Sequence, residues 1–244
     1  TYVPVVEGSS ASVSIITALG VISHAIIAGP RFRSPPHAPR GGDARLSAPS
    51  ANRNAAHIVA ALSGHLPAAG RVLEIAAGTG EHAVALARAN PGLTWEPTDV
   101  APERRASIDA WARAEGLDNI RPAAALDAAT PDWQAGPVAA GYAAVYLSNL
   151  LHLIPDAAAA NVIAGAARAL APGGCFCLYG PFREHGAYRS EGDERFDAQL
   201  KAADPETGYK SVEWVTDKAR AAGLSPTARH ELPANNLVLV FARA

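Results

Sequence analysis

The sequence predicts an α/β domain built on a doubly wound, mostly parallel seven-stranded sheet that ends in an antiparallel hairpin. Three observations predict it. From about Ser47 onward, short apolar runs bounded by turn residues alternate with segments of helical period. A glycine turn stands at the first strand-to-helix junction. The last two apolar runs are joined only by Pro233-Ala234-Asn235-Asn236, too short for a helical crossover, so they pair antiparallel.

The elements follow in order. Ile58, Val59, Leu62 and Leu66 share a helical face after Pro49-Ser50, so a helix opens the domain. Arg71 to Ile75 is a short buried strand, and Ala83, Leu86 and Ala87 mark the helix after the glycine turn, closed by Pro91-Gly92. Leu93 to Asp99 is the second strand. Pro102 then suits the first turn of a helix carrying Ile108, Trp111 and Ala112. Ile120 to Leu126 reads as the third strand and Tyr142 to Leu147 as the fourth. A helix with Val162, Ala166 and Leu170 in register leads through Pro172-Gly173-Gly174 to a fifth strand, Cys175 to Tyr179. Residues 180–210 are polar and irregular, an expected insertion or lid, because long structureless connections are usually functional. A helix at Val212, Val215 and Ala219 precedes the hairpin, Ser225 to Leu232 with Leu237 to Phe241.

Composition narrows the function. Lys plus Arg number 21 against 23 Asp plus Glu in 244 residues, a formal charge of −2, and no basic run forms a stripe, so nucleic acid is not an expected partner. His82, His152 and His185 are far apart and neither cysteine lies in a CxxC pair, so no metal is expected. Cys175 and Cys177 share a strand face and read as reduced packing residues. Residues 1–46 read as an extension and linker, and 47–244 as the domain. The uncharged stretch Ala11 to Gly29 approaches the length of a membrane span but is diluted by Ser12, Ser14, Thr17, Gly20, Ser23 and His24. The residues before it contain Glu7 and no basic n-region, so neither a secretory signal nor stable membrane insertion is expected, and a cytoplasmic protein is.

The chemistry centres on Glu74-Ile75-Ala76-Ala77-Gly78-Thr79-Gly80-Glu81-His82, where a strand stops and a helix starts. Gly78 and Gly80 let backbone approach a ligand with no Cβ in the way, beneath the positive end of a helix. Acidic residues end three successive strands: Glu74, Asp99 and Asp127. Open α/β sheets bind ligands at that edge. Asp99 has the reach for both hydroxyls of a ribose, and Asp127 beside the flat apolar Leu126 can accept from an exocyclic adenine amine. Glu74 disfavours a pyrophosphate and favours a cationic sulfonium and ammonium. The bland alternative is three solvated strand-end carboxylates.

Glu74 to Gly80 resembles motif I of class I S-adenosylmethionine-dependent methyltransferases, with Ala76 where many members carry their first glycine. Ser50-Ala51-Asn52-Arg53-Asn54, Thr94-Trp95-Glu96-Pro97-Thr98-Asp99, Tyr179-Gly180-Pro181-Phe182 and Pro233-Ala234-Asn235-Asn236-Leu237 are similar to bacterial and animal methyltransferase-like proteins grouped under a domain-of-unknown-function label. The likeness runs from about Asp43 to the C-terminus. It implies a Rossmann-like methyltransferase sheet in the order 3-2-1-4-5-7-6. It also implies S-adenosylmethionine as cofactor, with S-adenosylhomocysteine as product, held by Glu74, Ala76, Gly78, Gly80, His82, Asp99, Leu126 and Asp127, with Asn52, Arg53 and Asn149 completing the set.

Methyl transfer asks the protein mainly to position a nucleophile and exclude water. His152 is a candidate proton acceptor, since its pKa lies near neutrality, and the alternative is packing beneath its loop. Tyr179 continues an apolar strand and reads more readily as packing with a satisfied hydroxyl. Arg53 has the fork to grip a carboxylate of cofactor or substrate, against a capped first turn with a surface ion pair. Strand four is followed by Ser148-Asn149-Leu150-Leu151, without the Asn/Asp-Pro-Pro-aromatic signature of enzymes that methylate planar amines, so a small-molecule acceptor is expected. The competing functions are a nicotinamide-dependent oxidoreductase and a non-catalytic binding protein that keeps the fold.

Overall fold

A computed structural model describes residues 43–135 and 140–244. The apolar stretch Ala11 to Gly29, and with it nearly all of the expected extension, lies outside the described residues. From residue 43 the chain is already docked: Leu46 N–H donates to Ser107 Oγ at 2.8 Å, and Trp111 Nε1–H donates to the Leu46 carbonyl at 2.8 Å. No described helix is long and apolar enough to cross a membrane.

Helix α1 (Pro49–Leu62) precedes β1 (Gly70–Ile75), α2 (Glu81–Ala89), β2 (Leu93–Pro97) and α3 (Pro102–Ala114). β3 (Tyr142–Ser148), α4 (Asp156–Ala169) and β4 (Leu170–Pro181) follow, then α5 (Glu191–Ala203), α6 (Val212–Ala221), β5 (Leu224–Glu231) and β6 (Asn236–Arg243). Proline occupies the first turn of α1 and α3, where its missing N–H costs nothing. Ser190 caps α5 by accepting from Asp193 N–H, and Ser211 caps α6 by accepting from Trp214 N–H.

The strands form one sheet in the order β2-β1-β3-β4-β6-β5. β1 pairs in parallel with β2 and β3, and β3 with β4, whereas β6 runs antiparallel to both β4 and β5. Side chains alternate between two cores. Leu73, Ile75, Val145, Leu147, Phe176 and Leu178 face α4 and α6, and Val72, Trp95, Ala144, Tyr146, Cys177 and Tyr179 face α1, α2 and α3. The Cys175 and Cys177 sulfurs lie 3.9 Å apart on that second face as free thiols.

Among the described residues the sheet has six strands, with β6 antiparallel to its neighbours and the other pairs parallel, which corrects the expectation of seven strands. The segment expected as the third strand, Ile120 to Leu126, touches β2 only at the bridges Trp95–Ile120 and Thr98–Ala124. Pro122 has no N–H to give, and the Ala123 N–H turns to Asp109 Oδ1 at 2.8 Å, so no continuous ladder forms. Residues 180–210 are not irregular either. α5 occupies much of the segment and packs Leu200 and Phe196 against Leu153, Tyr188 and Tyr209. Its polar outer face hides a helical period that Phe196 and Leu200 carry alone.

Gly165 of α4 lies against Trp133, and a Cβ there would stand 2.1 Å from the indole nitrogen. Gly165→Ala is expected to displace the ring and cost about 3 kcal/mol. Chemical denaturation measures the loss.

Candidate active site

The polypeptide leaving β1 turns through three left-handed residues: Ala76 (φ 53°), Gly78 (φ 62°) and Gly80 (φ 104°). Alanine tolerates that conformation at a cost of about 1 kcal/mol. Ala76→Gly is expected to leave stability unchanged or raise it by up to about 0.5 kcal/mol, the relief of strain being partly offset by unfolded-chain entropy, as thermal melting would show. The two glycines do different work. A Cβ on Gly80 would meet Ile108 Cα at 2.9 Å, so Gly80 lets α3 pack against the loop, whereas a Cβ on Gly78 would meet nothing within 4 Å. Of the two glycines, Gly78 has open space where a Cβ would stand, and Gly80 is required by the packing of α3. Gly80→Ala is expected to cost about 2–4 kcal/mol, from backbone strain plus displacement of α3.

The loop is tied down from β2. Ala77 N–H donates to the Thr98 carbonyl at 2.8 Å, and Gly78 N–H donates to Asp99 Oδ2 at 3.0 Å. Asp99 Oδ1 accepts from Ala101 N–H at 2.9 Å, and Arg104 lies 3.8 Å from the carboxylate. Asp99 is 1% exposed, and burial raises its pKa against the opposing pull of Arg104 and the two N–H groups. Each oxygen retains a lone pair after these bonds.

Glu74 is buried on the α1–α2–α3 side of the sheet. Its Oε2 accepts from Trp95 Nε1–H at 2.5 Å, and its Oε1 has no partner. Burial, with the nearby Asp99 charge adding to it, pushes its pKa up to about 8. Glu74 therefore carries a proton at neutral pH, where the sequence reading takes it as an anion. His82, the second residue of α2, has Nδ1 3.1 Å from Ser148 Oγ and 3.5 Å from Tyr146 OH. Burial lowers its pKa to about 4 and leaves it neutral.

The three carboxyl-bearing residues follow adjacent chain segments at the carboxyl edge of the sheet. Glu74 pairs with Pro97 across β1 and β2, and Asp99 N–H donates to the Ala124 carbonyl at 3.1 Å, three residues before Asp127. Asp127 is exposed, and its carboxylate accepts from Ala129 N–H at 3.1 Å in a local turn. Leu126 is buried in the core facing α4. Asn149 adopts a left-handed backbone (φ 51°), and its N–H donates to the Tyr179 carbonyl at 2.8 Å.

The candidates for substrate chemistry separate. His152 is buried against Phe196 and Tyr209, ring centroids 6.2 and 5.9 Å away, and burial together with Lys210 lowers its pKa to about 4. It is packed beneath α5. Arg53 and Asn52 are exposed on the first turn of α1, Asn52 donating to Ser47 Oγ at 3.2 Å. Tyr179 is buried with an unpartnered hydroxyl, and its ring stands edge-on to His82, 6.3 Å between centroids. Sequence reasoning missed Trp95, Tyr146 and Ser148, which complete this wall. The signal was strand alternation: Tyr146 is the register partner of Glu74, and Ser148 that of Tyr179.

The architecture is a fold shared with solved methyltransferase structures. It superposes on an O-methyltransferase family protein from Burkholderia thailandensis with a TM-score of 0.66 at 19% identity, covering 79% of this chain and 57% of that one. For the mitomycin 7-O-methyltransferase MmcR the values are 0.67, 16%, 80% and 54%. For CalO1, a methyltransferase in calicheamicin biosynthesis solved in its S-adenosylhomocysteine-bound form, they are 0.63, 18%, 80% and 54%. The chain thus spans a little over half the length of these structures. It belongs to the family described as "Protein of unknown function (DUF938)", whose family model matches residues 45–243.

Proposed function

We propose that this chain is an S-adenosylmethionine-dependent methyltransferase acting on a small-molecule acceptor. The observation that carries the reading is the loop from Ala76 to Gly80, left-handed three times, anchored by Asp99 and with open space at Gly78. The residues fit such a nucleoside. Gly78 leaves room beside the N-terminus of α2, Asp99 keeps lone pairs for ribose hydroxyls, and the unpartnered Glu74 oxygen has the chemistry to meet a cationic group. Bound S-adenosylmethionine supplies a methyl group already activated by its sulfonium. The chain then has to hold an acceptor in line, exclude water and receive the acceptor's proton. The fold shared with CalO1 supports the cofactor class.

Asp127 and Leu126 take the adenine in this reading, and Arg53 the carboxylate of the cofactor or of an acidic substrate. Native mass spectrometry of the purified protein tests the nucleoside class: a retained mass of S-adenosylmethionine or S-adenosylhomocysteine supports it, and a retained nicotinamide dinucleotide contradicts it. Asp127→Ala is expected to weaken S-adenosylhomocysteine binding about tenfold, one lost hydrogen bond to a charged group. Unchanged affinity removes Asp127 from the adenine site.

A further inference from the structure

Among the described residues, four buried side-chain atoms have no hydrogen-bond partner: Glu74 Oε1, His82 Nε2, Tyr179 OH and Arg189 Nε. A buried polar group without a partner costs about 1–3 kcal/mol, so such atoms are rare unless something else meets them. Three of the four belong to one wall, contributed by β1, α2 and β4 at the carboxyl edge of the sheet. His82 stands edge-on to both Tyr146 and Tyr179, Tyr146 lies 6.3 Å from Trp95 between centroids, and Trp95 holds Glu74. Ala51, in the first turn of α1, brings its backbone within weak hydrogen-bonding reach of the His82 ring, short of a well-formed bond, and that turn carries no capping side chain.

We infer that His82 Nε2 and Tyr179 OH bind the acceptor, and that the acceptor is a neutral, hydroxyl-bearing aromatic molecule admitted beneath the first turn of α1. This rests on the methyltransferase reading and adds the acceptor class to it. The polarity of the wall selects the class. A hydroxyl both donates and accepts, and so satisfies an imidazole nitrogen and a phenol together. The wall is made of Trp95, Tyr146, Tyr179 and His82 and contributes no cation, so a carboxylate or phosphate would be buried uncompensated. Aromatic rings offer an aromatic acceptor its preferred edge and face contacts. His152, by contrast, is enclosed by Phe196 and Tyr209.

The test uses the full chain saturated with S-adenosylhomocysteine, with phenol and benzoate as probes followed by calorimetry. Phenol is expected to bind and benzoate to bind at least tenfold more weakly. Tyr179→Phe and His82→Gln are each expected to weaken phenol at least tenfold, and Tyr179→Phe to change S-adenosylhomocysteine affinity less than twofold. Tyr179→Phe also removes an unpartnered buried hydroxyl, so it is expected to melt at the same or a higher temperature while losing the probe, which a purely structural tyrosine would not do. Phenol failing to bind, benzoate binding equally well, or phenol binding unchanged in both variants would overturn the assignment. A tenfold loss of S-adenosylhomocysteine in Tyr179→Phe would overturn it as well, by giving the hydroxyl to the cofactor. Failure of wild-type protein to bind S-adenosylhomocysteine is a different result, and it defeats the methyltransferase reading itself.

Discussion

Asp99→Ala is expected to lower affinity for S-adenosylhomocysteine at least about 100-fold and to destabilise the fold by about 2–4 kcal/mol. Two effects combine. The substitution removes the acceptor for Gly78 N–H and Ala101 N–H, leaving two buried donors to be resatisfied, and deprives the nearby Arg104 of its counter-charge. It also removes the two charged hydrogen bonds proposed for the ribose, together worth about 3 kcal/mol or more, which sets the 100-fold figure. Asp99→Asn separates the contributions. An amide keeps the side-chain volume but only one acceptor oxygen, so one of the two backbone donors is satisfied and only part of the folding stability returns, and its donor end cannot accept from a ribose hydroxyl. Calorimetric binding alongside urea denaturation of both variants checks this. Equal ligand affinity in wild type and Asp99→Ala would remove Asp99 from the site.

The second large effect concerns Glu74 and runs against the usual behaviour of a carboxyl group. Its folded pKa is pushed up to about 8 from an ordinary 4.5. Below 4.5 both folded and unfolded chains hold the proton. Between 4.5 and about 8 only the folded chain does, so stability falls as pH rises through that window. Asp99, also raised by burial, acts in the same direction above its unfolded pKa. His82 and His152 act oppositely. Each falls to about 4 from 6.5, so the stability of their buried neutral forms is present above 6.5 and is lost as pH drops through 4. Wild-type stability should therefore decline between pH 6.5 and 8, a window that the folded and unfolded pKa of Glu74 span and that lies above both pKa values of the two histidines. Glu74→Gln, a neutral isostere, should abolish that decline and gain about 3–5 kcal/mol over wild type at pH 8. Denaturation midpoints from pH 6.5 to 8 measure it. Parallel curves for the two proteins would contradict the placement of a protonated Glu74.

The same linkage bears on ligand binding. A cationic group arriving at the unpartnered Glu74 oxygen favours the ionised carboxyl, so binding at pH 7 should release a proton. Calorimetry in buffers of different ionisation enthalpy would record it. Glu74→Gln should bind without proton release.

Local signals made the fold legible where one residue type settles one question. Pro49 and Pro102 mark helix starts, and the unbroken apolar runs Tyr142 to Leu147 and Leu237 to Phe241 mark strands buried on both faces. The glycine turn announced the strand-to-helix junction, but not that Gly80 faces Ile108 while Gly78 faces open space, because that depends on where α3 packs. Ile120 to Leu126 has a strand's composition and fails as one through Pro122 and the competing acceptor on Asp109, a partner fourteen residues away. Glu74 is the instructive miss. Its position at a strand end suggested a solvated anion, and only the register with Tyr146 and the indole of Trp95 shows a buried acid. Similarly, the spacing of His152 is compatible with a base in a loop, and it is α5, read from sequence as irregular, that encloses it.

The most direct measurement is a calorimetric titration of the purified full chain with S-adenosylhomocysteine and, separately, with NAD. Saturable one-to-one binding of the former, with NAD undetected at millimolar concentration, is the outcome expected of a cradle beside Glu74, an acid that can ionise to meet a cation and has no positive charge to offer a pyrophosphate. Binding of NAD without binding of S-adenosylhomocysteine would contradict the assignment of this sheet edge to a sulfonium nucleoside.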